Sequence, residues 1–222
     1  MTHARFWTSR AIEWAYEGGD EPMMAWTIFR RSQQAAAAGD VADVIGLAQA
    51  ARRNEEGLAT PTRAAIRVQE AYGHALDSNA TVAQRLLDEA HSWAATDTVG
   101  DARDGHGSYC TPSYIEMQRA NCWLATGEPK KAINLFEENL RTLPVVYQRN
   151  RAGALSRFAA AYLADAQVEQ AASTAHAALP IARSTGSLRA LDEIKGLSVE
   201  LAGHRSLPNV AALLDDLGSG NS

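Results

Sequence analysis

The chain reads as an all-α protein: an α-solenoid of about five antiparallel helix hairpins wound into a right-handed superhelix. Three observations predict this. Alanine crowds nearly every segment of the 222 residues, and no run of alternating β-branched residues is long enough to nominate a strand. Alanine is the best helix former and permits close helix contact. A small residue then recurs at Val44, Ala83, Ala132 and Ala171, in steps of 39, 49 and 39 residues. Twelve positions before each lies another small residue: Ser32, Ala71, Ala120 and Ala159. The slot nine positions before holds Ala35, His74, Trp123 and Tyr162, and the slot seven positions after holds Ala51, Ala90, Asn139 and Ala178. Helices cross closely only where side chains are small, and larger residues between them fill the gaps. Thirdly, Gly, Asp and Pro punctuate the chain at regular intervals.

The punctuation places each element. Helix one runs from about Ala4 to Glu17 and ends at Gly18-Gly19; Pro22 opens helix two, at a position where proline costs no hydrogen bond. Helix two reaches Ala38, and Gly39-Asp40 both ends it and caps helix three, from Val41 to Asn54. Thr60-Pro61 starts helix four, which continues to Leu76, and helix five covers Thr81 to Ala95. Residues 96–109 are polar, glycine-rich and without apolar period, an exposed loop that accounts for the ten extra residues of the long step. Thr111-Pro112 caps helix six, which ends at Gly127; Pro129 opens helix seven and Pro144 follows its end. Helix eight covers Tyr147 to Ala164, and helix nine starts near Gln167, with Pro180 expected to kink or stop it. Helix ten starts at Ser187 and a short helix eleven runs from Ser206-Leu207-Pro208 to Gly218, before a frayed tail.

On this reading residues 1–222 are a single domain. Residues 1–19 are an unpaired or capping helix, 22–185 four helix pairs, and 187–218 a degenerate C-terminal capping pair. Trp7, Ile12 and Trp14 of helix one need cover, expected from Trp26 and Phe29 on helix two.

The formal charge of −5 excludes nucleic acid as a main partner, since phosphate binding needs a basic face. No secretory layout opens the chain and no apolar stretch is long enough to span a membrane. Cys110 and Cys122 form no disulfide framework, so the expected setting is a reducing cytoplasm.

The repeat positions resemble the tetratricopeptide repeat (TPR), most closely in the third copy. There Ala120, Trp123, Gly127, Ala132, Phe136 and Pro144 fall where that motif wants small, aromatic, turn, small, aromatic and proline residues. The strings RRSQQAAAAGD, YCTPSYIEMQRANCWLATGEP and ARSTGSLRALDEI look like the C-terminal, sensor half of actinobacterial helix-turn-helix transcriptional regulators. No basic recognition helix precedes residue 20, so the resemblance belongs to the array and implies sensing of a peptide, a protein or a small signal.

In a stacked array the first helix of each pair lines the concave surface. The inner-face slots hold Trp26, Phe29 and Gln33; Ala65, Val68 and Tyr72; Tyr114, Met117 and Asn121; and Gly153, Ser156 and Ala160, so the fourth copy is bare. With Arg30, Gln69 and Gln118 at the rim, the partner-binding groove is assigned to Phe29, Arg30, Gln33, Val68, Gln69, Tyr72, Tyr114, Met117, Gln118 and Asn121. Amides pair with peptide backbone, and aromatic rings supply contact area at small entropy cost. The competing reading is that many of these side chains pack between hairpins.

Other chemistry is thinly supported. His106 and Cys110 are four apart, with His91, Asp101, Asp104 and Cys122 elsewhere, short of the four soft ligands a structural zinc needs. Glu137-Glu138 and Asp215-Asp216 are adjacent and point to different sides of a helix. No phosphate loop or nucleophile elbow is present, the glycines of 100–107 lack a following lysine, and the basic pairs at 30–31, 52–53 and 130–131 read as solvated faces. The expected function is therefore a non-enzymatic interaction or sensing module, without metal or cofactor, that holds a peptide or protein, such as a regulator. Two alternatives are a sensor with an apolar pocket where Phe29, Val68, Tyr72 and Met117 converge, and a subunit that pairs, with itself or a full-length regulator, through helix one.

Overall fold

A computed structural model describes residues 2–96, 105–143 and 146–219. Among the described residues there are eleven α-helices and no strand. They are α1 (Thr2–Glu17), α2 (Glu21–Ala38), α3 (Val41–Ala51), α4 (Thr60–Leu76), α5 (Ala80–Thr96) and α6 (Pro112–Ala125). Then follow α7 (Pro129–Thr142), α8 (Gln148–Ala164), α9 (Val168–Ser184), α10 (Leu188–Leu201) and α11 (Pro208–Ser219). Residues 97–104, Pro144 and 220–222 lie outside the described residues, and with them the outer part of the expected loop, the motif proline and the expected frayed end.

The chain divides into two compact units, Met1–Thr126 and Gly127–Ser222, with the division at the turn that follows α6. In the first unit each helix from α1 to α6 packs on the next, and α2 also touches α4, as α4 touches α6. Consecutive contacts plus contacts between every second helix are the mark of stacked hairpins. In the second unit α7 packs on α8 and α8 on α9, and α10 and α11 both pack against α9.

The repeat positions carry this packing. Ser32, Ala71, Ala120 and Ala159, and their mates Val44, Ala83, Ala132 and Ala171, all have 0% exposure, so both small-residue slots are crossing points in every copy. Copy one uses a serine there, and its Oγ donates to the Val44 carbonyl at 2.8 Å. Asn139, in a slot that takes alanine elsewhere, stays buried by donating Nδ2 to the Leu135 carbonyl at 2.9 Å. Gly73 permits the closest approach of α4 to α3: a Cβ there would stand 2.8 Å from Ile45 Cγ1 and 2.9 Å from Val44 Cγ1. Helix starts follow side-chain capping. Asp20, Asp40 and Asn79 accept from the backbone of Met23, Asp43 and Val82, and Thr111 from Tyr114.

Four local expectations are corrected. Helix three stops at Ala51 instead of Asn54, because the chain turns through a 3-10 segment at Glu55–Gly57 that buries Leu58 and points Glu55 at Arg67. Pro180 does not stop helix nine, which runs on to Ser184; the proline sits on the exposed side while Ala171, Ala172, Ala175, Ala178 and Ala182 hold the other side at 0% exposure. Trp7 and Trp14 do not pack on Trp26 and Phe29. α1 meets α2 through a polar seam, in which Arg31 donates to the Arg5 carbonyl and Ser9 Oγ, and Gln34 to Thr8 Oγ1. That seam turns Phe6, Trp7 and Trp14 outward, each more than half exposed. The fourth correction concerns residues 107–109, where Gly107 is buried and Ser108 and Tyr109 are half-buried, while Gly105 and His106 keep the expected exposure.

Candidate peptide groove in the first unit

Side chains three, four and seven apart share a helix face, so the starts of α2, α4 and α6 each present a stripe. On α2 the stripe is Trp26, Arg30 and Gln33; on α4 it is Thr62, Gln69 and Tyr72; on α6 it is Tyr114, Gln118 and Asn121. Of the ten assigned groove residues, Phe29, Val68, Gln69, Met117 and Asn121 are buried, with exposures of 1%, 5%, 8%, 2% and 6%. Gln33, Tyr72, Tyr114 and Gln118 are half-buried and Arg30 is exposed. Phe29, Val68, Tyr72 and Tyr114 share one apolar cluster with Ile66, Ala71 and Ile115. Arg30 donates to Gln33 Oε1 at 2.6 Å, and Asn121 Nδ2 to Gln118 Oε1 at 2.8 Å. Gln69 Nε2 and Asn121 Oδ1 are buried with no hydrogen-bond partner among the described residues.

Residues 105–110 close one end of these stripes. The His106 ring stacks on Trp26, with centroids 4.8 Å apart and planes 15° apart. The His106 carbonyl accepts from Thr62 Oγ1 at 2.7 Å. Gly107, at φ +83°, lies so close to α4 that a Cβ would stand 2.5 Å from the Pro61 carbonyl oxygen. Tyr109 meets Tyr114 edge-on at 5.0 Å and Trp26 at 6.5 Å. Burial drives the Tyr109 hydroxyl far above its ordinary range, with Tyr114 and Cys110 adding to the effect. Cys110, buried where the segment enters α6, is pushed up to about 12 by burial, as is Cys122 on α6 itself. Cys110 is buried, whereas His106, though stacked on Trp26, stays exposed. Among the described residues no three His, Cys, Asp or Glu side chains gather as a metal would require, and Asp101 and Asp104 lie outside those residues.

Trp26, an inner-face slot residue outside the assigned set, meets both His106 and Tyr109; from sequence, His106 enters only a weak metal constellation, and Thr62 and Tyr109 enter no candidate set. A Gly between two aromatic-type rings, in His106-Gly107-Ser108-Tyr109, was the available signal. A buried ion network was missed too. Arg67, 6% exposed, makes two bonds to Glu55 at 2.9 and 3.0 Å and also reaches Glu70 and Glu89. Glu70 takes Arg52 as well, at 2.8 Å, so the Arg52-Arg53 pair is not simply a solvated face. Arg63 and Arg67 both lie over the Trp93 ring. Arg52, Arg53, Glu55, Glu56 and Glu21 line an open polar depression of about 790 Å³ beside this network.

The second unit is plainer. Its inner-face Ser156 is fully buried and hydrogen-bonds Glu193, on which Arg157 and Arg189 also converge. Tyr162 donates to Glu137 at 3.0 Å, and desolvation with that bond raises its hydroxyl to about 12.

No protein-family model matches the chain, and no curated protein matches it in sequence. Among solved structures, the chain is similar to two crystal structures from Podosopora anserina of a protein assigned as a kinesin light chain with nearly identical TPR-like repeats. Their TM-scores are 0.53 and 0.52, both at 18% identity, covering 87% of this chain and 92% of theirs. No described helix is long and apolar enough to cross a membrane. The fold is an all-α, TPR-like helix repeat.

Proposed function

We infer that the first unit holds an extended peptide segment of a partner protein along the stripes of α2, α4 and α6. The observation that carries this is the pair of buried, unpartnered amide atoms, one a donor (Gln69 Nε2) and one an acceptor (Asn121 Oδ1), on two helices that touch. Leaving such atoms unpaired costs about 1–3 kcal/mol each, and a peptide backbone supplies the matching C=O and N–H. Half-buried Gln33, Tyr72 and Gln118 extend the same surface. The resemblance of three strings of the sequence to sensor regions of transcriptional regulators supports a regulatory setting.

The test separates core from seat. A phage-displayed peptide library is panned on the wild-type chain, and a selected peptide is titrated against Gln69→Leu and Asn121→Leu. Gln69→Leu is expected to melt at or above the wild-type temperature, since it removes an orphan donor. Asn121→Leu, which also gives up its bond to Gln118, is expected within about 1 kcal/mol of wild type, while both lose affinity about tenfold or more. Undiminished affinity in both variants rejects the seat.

A second reading rests on a separate observation. Phe6, Trp7, Trp14 and Tyr16 of α1 are 53–77% exposed, an aromatic surface of the kind that marks association sites. α1 then pairs this chain with a second copy or with a larger regulator. Sedimentation of wild type against Trp7→Glu/Trp14→Glu tests self-association; a wild-type monomer at the highest soluble concentration removes the second copy.

A further inference from the structure

The seat and the segment that fills it have different origins in the sequence. Trp26, Pro61, Thr62 and Tyr114 belong to the repeat frame, at the starts of α2, α4 and α6. Residues 105–109 belong to the ten extra residues by which the middle step exceeds its neighbours. A helix-pair array closes its core without such an insertion, as the 39-residue steps do. The contacts between the two are those of a bound peptide: a flat ring on an indole, a main-chain carbonyl on a hydroxyl, a residue that must lack a side chain, and a second ring in an aromatic corner. The segment also stands at the end of the very stripes that carry Gln33, Gln69, Tyr72, Gln118 and Asn121.

We propose that this end of the groove is a peptide subsite, filled in this structure by the chain's own His106–Tyr109, and that it takes from a partner a turn-forming segment with a flat ring, a glycine, any one residue and an aromatic residue. The proposal rests on the groove reading above and adds the chemistry of the ligand and its control. The internal segment competes with the partner, so apparent affinity is the intrinsic affinity multiplied by the fraction of molecules in which the seat is open.

The experiment uses the full chain and a synthetic peptide, Gly-His-Gly-Ser-Tyr-Ser, which copies residues 105–110 with serine for the cysteine. Gly107→Ala is the opening variant, because its Cβ would meet the Pro61 carbonyl at 2.5 Å and its φ is +83°. Thiol labelling reports the outcome, since Cys110 ends the segment and Cys122 lies at 0% exposure within α6. In Gly107→Ala, Cys110 is expected to label at least about tenfold faster with Cys122 unchanged, and the peptide to bind at least about tenfold more tightly than to wild type. Adding Trp26→Ala should abolish that binding. Should Cys122 label too, the variant has unfolded, and His106→Ala/Tyr109→Ala, which removes both rings without a clash, is measured by the same two readouts. Equal binding to wild type and an opened variant overturns the internal competitor but leaves the groove. An opened segment with no peptide binding overturns the subsite, while the groove reading is decided separately by the Gln69→Leu and Asn121→Leu titrations.

Discussion

Ser32 Oγ donates to the Val44 carbonyl at 2.8 Å, joining two residues twelve apart across one helix hairpin, both closed to solvent. The other three copies place alanine at the position of Ser32, so this bond is particular to the first hairpin. Ser32→Ala leaves the Val44 carbonyl in its own helix ladder and removes one buried bond. Its expected cost is about 1 kcal/mol, read as a lower urea midpoint with unchanged slope. No change in midpoint would mean the helix crossing alone holds the pair.

Glu70 is the more demanding position. At 2% exposure it faces Arg52 and Arg67, and removing a buried ion partner strands the charges left behind. Glu70→Ala is expected to lose about 3–5 kcal/mol, and Glu70→Gln less, because the amide oxygen still accepts. Thermal melts of both variants check the order; an alanine variant as stable as wild type refutes the network's role.

Pro180 offers a gain. It lies on the exposed side of α9, whose ladder it interrupts, so Pro180→Ala restores a backbone donor and a better helix former. A stabilisation of about 1–3 kcal/mol is expected, seen as a higher melting temperature. A lower one would show that α9 depends on the local geometry the proline imposes.

The thiols give a pH prediction. Burial raises Cys110 and Cys122 from an ordinary 9.0 to about 12, so both are neutral thiols across the physiological range. At pH 8 native-state labelling should run about a thousandfold slower than that of the urea-unfolded chain. Each folded pKa exceeds its unfolded value. The associated stability is therefore complete below pH 9.0 and is lost as pH rises towards about 12. Alkaline unfolding that sets in earlier for wild type than for Cys122→Ala, with both matched at pH 7, agrees with this sign; the reverse order contradicts it.

The array was legible because its information is local and periodic. Eight small residues at fixed spacing all became crossing points, and Gly39, Asp40, Pro61 and Thr111 marked helix ends by their own backbone chemistry. What could not be read depended on contacts between distant residues. Nothing local in Arg67 predicts that Glu55, Glu70 and Glu89 surround it, and a polar glycine-rich stretch carries no period to betray that His106 stacks on Trp26. Periodicity named the inner-face slots but not which are open or covered: Phe29 and Met117 went into the core, whereas Trp26 carries the His106 and Tyr109 rings.

The bond from Thr62 to the His106 carbonyl spans 44 residues. Helix-pair arrays otherwise gather their stability from nearest neighbours, so folding can start in any hairpin and spread along the chain. His106 also stacks on Trp26 of α2, so the approach to α6 is tied to the first hairpin as well as to the second, and that breaks the independence in the first unit. The second hairpin cannot fray from α6 without also releasing His106 from Trp26. In hydrogen exchange, the backbone amides that close α2, α4 and α6 at this end should open together as one cooperative block, instead of one hairpin at a time.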